Sequence, residues 1–109
     1  MANEQPTRPT SDAWAGHDRP PLAGLRVLEV TIAGPGGLCT NFADLGADVI
    51  KIEPFTGDYV RQMTWPSIEG TSLMHLHLTR GKRSIAVDLR TEEGVQLFKD
   101  LAVTADAVV

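Results

Sequence analysis

A glycine-rich stretch and an acidic residue beyond it are the first features of the sequence that could do chemistry. Gly34, Gly36 and Gly37 follow an apolar run, and glycine lets the backbone approach a ligand without a side chain in the way. With Glu53, the spacing Gly34-x-Gly36-x-x-Cys39 approximates a dinucleotide fingerprint, in which the acid holds a ribose hydroxyl. Cys39 occupies the place of the third glycine, which weakens this NAD-type alternative.

Charged and imidazole side chains elsewhere offer three further possibilities. Asp58 and Arg61 predict a local charged turn or a site for an anionic group, with a solvated surface pair somewhat favoured. His75 and His77 are two residues apart, which on a helix sets them about 200° apart, so no metal site is expected. Arg90 offers forked donors to a phosphate, and a surface arginine at a helix start is the equal alternative.

Alternating strands and helices must position these residues. Residues 27–32 predict a strand covered on both faces, and residues 49–52 predict a second strand. Between them, residues 38–45 carry the apolar stripe of a helix that Gly46 can end. Such a βαβ unit binds ligands at the carboxyl ends of its strands, so the functional site is expected at residues 31–37 and at Glu53.

The second half of the chain continues the alternation. Residues 54–81 form a long connection with a short helical stretch at 71–79, and residues 82–89 predict a third strand. Thr91 is expected to cap the next helix, after which residues 106–109 begin a fourth strand. The pattern predicts an α/β fold, a parallel sheet with flanking helices, which is truncated because no helix follows the fourth strand.

Composition limits the class of protein. A chain of 109 residues is at most one domain, and its net charge of −4 without a basic cluster argues against nucleic-acid binding. The single cysteine fits a reducing compartment, and neither a membrane-spanning run nor a signal peptide is present, so a cytoplasmic protein without membrane contact is expected. Residues 1–21 hold four of the seven prolines and few aliphatic side chains, which predicts a flexible N-terminal arm before a domain at 22–109.

Several segments together resemble one known family. In order they are LAGLRVLE (22–29), AGP (33–35), ADLGADVIKIEP (43–54), GDYVR (57–61), RGKRSIAVDL (80–89) and ADAVV (105–109). Over residues 21–109 they resemble the opening of the family III CoA-transferases. That family includes formyl-CoA transferase, carnitine CoA-transferase and, by shared fold, the acyl-CoA racemases.

The resemblance implies a large Rossmann-like domain that binds CoA, of which residues 22–109 would be the N-terminal portion, incomplete at the C-terminus. It further implies an interlinked homodimer that moves CoA between carboxylic acids through an aspartyl intermediate. The aspartate lies beyond Val109, so no residue here is assigned a catalytic role, and the chain alone is expected to be inactive. Acyl-CoA and carboxylic acids would be the substrates, with no prosthetic group and no metal.

The resemblance also implies which positions contact CoA. They lie at the ends of the three predicted strands and are Ile32, Ala33, Pro54, Val87, Asp88, Leu89 and Arg90. Three alternatives stay open, namely a fragment of an acyl-CoA racemase, an NAD-type dinucleotide-binding domain and a non-catalytic remnant.

Overall fold

A computed structural model describes residues 19–109, apart from the side chain of Ser67. Residues 1–18, most of the predicted flexible arm, lie outside the described residues. Along the chain the strands are β1 (Arg26–Glu29), β2 (Asp48–Glu53), β3 (Pro66–Ile68), β4 (Thr71–Ser72), β5 (Arg83–Ala86) and β6 (Ala107–Val108). The helices are α1 (Gly34–Asp44), α2 (Leu73–Thr79) and α3 (Glu92–Ala102), and a 3-10 turn covers Tyr59–Gln62.

Four of the strands form one parallel sheet in the order β5-β2-β1-β6. If only the strands of this sheet are numbered along the chain, their order across the sheet is 3-2-1-4. A doubly wound sheet begins with this order. The other two strands, β3 and β4, form a separate antiparallel hairpin within the long connection. The predicted α/β fold with a parallel sheet is confirmed.

The core lies on both faces of the sheet because neighbouring residues of a strand point to opposite sides. Val27 belongs to an apolar cluster that includes Phe42 of α1, and Leu28 belongs to a second cluster that includes Phe98 and Leu101 of α3. The sheet is therefore covered by one helix on each face, as the apolar run of the first strand predicted. None of the helices in residues 19–109 has the length and apolarity needed to cross a bilayer.

Two predicted helix boundaries are confirmed. Gly46 follows α1 with φ 96°, a left-handed conformation that glycine adopts without strain, and its N–H donates to the carbonyl of Ala43 at 2.9 Å. Pro20 lies where a side chain on Gly46 would be, so the residues before β1 pack against the end of α1. At the other helix, the Thr91 hydroxyl accepts a hydrogen bond from the Gly94 N–H at 3.0 Å and caps α3.

The first strand and the glycine-rich stretch differ from the prediction. Strand β1 ends at Glu29 rather than at Ile32, because the Thr31 carbonyl accepts a hydrogen bond from the Lys51 ammonium at 2.9 Å. The chain then turns at Ala33, whose φ of 56° is unusual for a residue with a side chain. Residues 34–37 form the first turn of α1, with Pro35 near its start, so the tight turn is made before the glycines and not by them.

Candidate functional site

A cleft of about 540 Å³ opens at the carboxyl ends of β1, β2 and β5. Residues 30–32, 52–59 and 87–90 line it, and most of their side chains are apolar. Phe55 and Tyr59 lie at its mouth with 74% and 60% of their surfaces exposed. Parallel sheets bind ligands at this edge, so the cleft is the candidate site.

The cleft brings together most of the residues that the sequence singled out. Six of the seven candidate positions line it, and they come from three separate segments: Ile32, Pro54, Val87, Asp88, Leu89 and Arg90. Ala33 lies next to the cleft wall as the residue before α1. The glycines at 34–37 do not line the cleft, because this part of its wall is formed by residues 30–32, which lie between β1 and α1.

Arg90 and Asp88 form the charged part of the rim. The Arg90 side chain is 89% exposed, and its Nε and Nη2 each lie 2.9 Å from a different carboxylate oxygen of Asp88. These hydrogen bonds lower the pKa of Asp88 to about 2 and raise the pKa of Arg90. An anionic ligand would have to share the Arg90 guanidinium with Asp88 or take it over.

A group of buried ionised side chains, which the sequence reasoning missed, lies directly behind the cleft. We call Glu29, Lys51, Asp58 and Lys82 the buried charge cluster; each side chain is at most 4% exposed. Lys51 Nζ lies 3.0 Å from Glu29 and 2.7 Å from Asp58. Lys82 Nζ lies 2.6 Å from Glu29 Oε2 and donates a hydrogen bond to the Gly36 carbonyl at 2.7 Å. Two cations thus face two carboxylates, and the charges cancel.

One signal in the sequence could have revealed this cluster. Glu29 and Lys51 are opposite charges within two apolar strands, and they occupy the same register position on β1 and β2. Cross-strand neighbours at such a position are close enough to pair. The prediction for Asp58 and Arg61 is wrong in its favoured form, because Asp58 is buried against Lys51 and Arg61 pairs with Glu53 at 3.0 Å.

Glu53 has no free acceptor for a ribose hydroxyl. Its Oε1 accepts hydrogen bonds from Ser84 at 2.6 Å and from Arg61 at 3.0 Å, and its Oε2 accepts from the Asp58 N–H at 2.7 Å and from Arg61 Nε at 3.0 Å. Both oxygens are therefore engaged within the protein. The NAD-type alternative loses the residue on which it depended.

The same contacts shift the ionisation of Glu53. Burial on its own raises the pKa of the carboxyl, but the hydrogen bonds from Arg61, Ser84 and the Asp58 amide outweigh it and lower the pKa to about 2. Because this folded-state value is below the ordinary 4.5, Glu53 stabilises the fold fully above that value. The stabilisation is lost as the pH falls from about 4.5 towards 2.

We expect the free energy of unfolding to fall on acidification through this window, and to fall less in Glu53→Gln. Urea unfolding followed by circular dichroism at pH 6 and pH 3 measures the difference. Glu69→Gln, which changes an exposed carboxylate, is the matched control and should keep the wild-type dependence. Equal pH dependence in wild type and Glu53→Gln would refute the assignment.

The structure is that of an α/β protein with a cleft at the carboxyl edge of a parallel sheet. The family can be identified more closely than the fold alone allows. Residues 22–109 match the family model described as CoA-transferase family III. The chain belongs to the family III CoA-transferases.

Curated relatives agree with this family. The chain is 45% identical over 100 residues to a succinate–glutarate CoA-transferase of Agrobacterium fabrum, which covers 84% of the chain and 25% of the relative. It is 39% identical over 105 residues to human succinyl-CoA:glutarate CoA-transferase, covering 94% of the chain and 23% of the relative. The chain therefore spans about a quarter of the length of these relatives.

Solved structures show the same relationship. The crystal structure of Rv3272 from Mycobacterium tuberculosis matches with a TM-score of 0.73 and 41% identity, over 82% of the chain and 24% of that structure. A CAIB/BAIF family protein from Brucella suis matches with a TM-score of 0.64 and 46% identity, over 83% of the chain and 25% of that structure.

Proposed function

We propose that this chain is the CoA-binding segment of a CoA-transferase and that CoA or acyl-CoA binds in the cleft. The observation that carries the proposal is the convergence of six positions, from three separate segments, on one cavity at the carboxyl edge of the sheet. A family member with a ligand cleft at this place has CoA as its first candidate ligand.

The lining suits both the apolar groups and the phosphates of CoA. Ile32 and Leu89 offer apolar surface for the adenine ring or the pantetheine chain, and Phe55 and Tyr59 offer exposed aromatic faces at the mouth. Arg90 is the cation of the lining and would donate to a phosphate by exchanging its contact with Asp88. In this proposal the chain binds and orients CoA, and it supplies no catalytic group.

We propose for the whole protein the activity that the relatives' names describe, the transfer of CoA between carboxylic acids. The aspartyl intermediate and the interlinked homodimer stay part of this proposal, as the resemblance implies them. Acyl-CoA and carboxylic acids are the proposed substrates, and no prosthetic group is needed. The single cysteine of the sequence fits a reducing compartment, and we propose a cytoplasmic location.

Isothermal titration with CoA and with NAD tests the proposal. We expect CoA to bind with a dissociation constant of about 1 mM, equivalent to about −4 kcal/mol, and NAD to bind at least about tenfold more weakly.

Arg90→Ala should weaken CoA binding severalfold and reduce its salt dependence, since the variant loses a phosphate contact. Arg80→Ala removes an exposed arginine that pairs with Asp44 outside the cleft and should leave the affinity unchanged. Equal binding of NAD, or no heat with CoA, would contradict the proposal.

A further inference from the structure

One buried ammonium group connects three parts of the chain around the cleft. Lys51 Nζ is 3.0 Å from Glu29 Oε1 on β1, 2.9 Å from the Thr31 carbonyl and 2.7 Å from Asp58 Oδ2. Two of these contacts are hydrogen bonds, and the contact with Asp58 is an ion pair. Thr31 and Asp58 both line the cleft, on different segments. The position of one wall relative to the other therefore depends on Lys51.

A strained residue directly follows the wall segment that contains Thr31. Ala33 has φ 56° and ψ −117°, a combination that only glycine adopts at low energy. Ile32, directly before it, projects at the cleft with 59% of its surface exposed. Strain of this kind persists only where the surroundings hold the backbone in place.

Two buried lysines hold the backbone in place on either side of Ala33. Lys51 holds the Thr31 carbonyl before the strained residue, and Lys82 holds the Gly36 carbonyl after it at 2.7 Å. Glu29 lies between the two ammonium groups, 3.0 Å from Lys51 and 2.6 Å from Lys82, and fixes both. The turn between β1 and α1 is thus braced on each side by a cation that solvent does not reach.

We propose that Lys51 is a positioning residue for the ligand cleft: it holds the Thr31–Ala33 turn in its strained shape and ties it to the Asp58 wall. The inference rests on the proposed function for its effect on CoA, but the shape of the turn is a property of the free protein. Replacing Lys51 by methionine keeps most of the side-chain volume and removes two hydrogen bonds and the ion pair with Asp58. The turn should then relax, and Ile32 should leave its place at the cleft.

The test compares the wild type with Lys51→Met and with the double variant Lys51→Met/Ala33→Gly. In Lys51→Met, we expect the backbone ¹³Cα and ¹³Cβ shifts of Ala33 to move from positive-φ values towards ordinary ones, and CoA affinity to fall at least about tenfold. Glycine adopts a positive φ without strain, so the double variant should regain most of the affinity. Affinities are compared only under conditions where circular dichroism shows each variant folded, so that differences in overall stability do not enter the comparison.

If Lys51→Met does not fold, the single variant Ala33→Gly tests the bracing of the turn. Relief of the strain should raise its folding equilibrium constant about fivefold. No gain would refute the proposal that the turn is held in a strained shape. If the wild type does not bind CoA, the proposed function fails, while the Ala33 shifts in Lys51→Met still test the bracing. Unchanged Ala33 shifts together with an affinity within twofold of wild type would overturn the proposal.

Discussion

Replacing Glu29 by glutamine should lower the free energy of unfolding by about 3–5 kcal/mol, the usual cost of removing one partner from a buried ion pair. Glu29 is fully buried and lies 3.0 Å from Lys51 and 2.6 Å from Lys82. Glutamine has the same shape but no charge, so Lys51 keeps only Asp58 as a counter-charge and Lys82 keeps none within the cluster. The loss can be measured by urea unfolding at neutral pH.

An exposed ion pair of similar length provides the control. Arg80 and Asp44 lie 2.7 Å apart with both side chains 44% exposed, so Asp44→Asn should cost less than about 1 kcal/mol. If the two variants lose similar amounts, the buried charge cluster is not a stabilising element of the fold and the account of the wall behind the cleft is wrong.

Replacing Gly94 by alanine should destabilise the fold by about 2–4 kcal/mol, from overpacking and from damage to a helix cap. A Cβ at Gly94 would contact the Asp88 carbonyl group, lying 2.7 Å from its carbon, and would lie 3.0 Å from the Thr91 hydroxyl that caps α3. The Asp88 carbonyl belongs to the backbone, so α3 or the cleft wall at Asp88 has to move. CoA affinity should fall as well, since Asp88 lines the cleft.

Gly37→Ala is the matched control because it also changes a glycine in the first turn of a helix. A Cβ at Gly37 makes an ordinary contact of 3.7 Å with the flexible end of the Leu78 side chain, so the variant should be neutral or gain up to about 1 kcal/mol from reduced chain entropy. Urea midpoints of both variants give the comparison. A stable Gly94→Ala with unchanged CoA affinity would mean that the close approach of α3 to the cleft wall is unimportant.

The order of strands and helices follows from local patterns, and the sequence therefore predicts it well. Alternating apolar runs, Gly46 after α1 and Thr91 before α3 are each determined by a few neighbouring residues. The end of β1 is different. It depends on Lys51, which is distant in sequence and binds the Thr31 carbonyl, so no local pattern contains it.

The site shows the same division. The positions after the three strands gather because parallel strands end at one edge, which is why Ile32, Pro54 and Val87 meet in the cleft. The buried charge cluster joins residues from three separate segments, and its partners depend on the pairing of β1 with β2. Asp58 and Arg61 look like a local pair in the sequence, yet each binds a residue of β2 instead.

If CoA binds in the cleft at the carboxyl edge of the sheet, a CoA titration should change the amide chemical shifts of the residues that line it. In a ¹⁵N-labelled chain, we expect the largest changes at residues 30–32, 55–59 and 87–90, while the exposed end of α3 stays unperturbed. Changes confined to α3 or to the β3–β4 hairpin, or no change at about 10 mM CoA, tenfold above the expected dissociation constant, would contradict it.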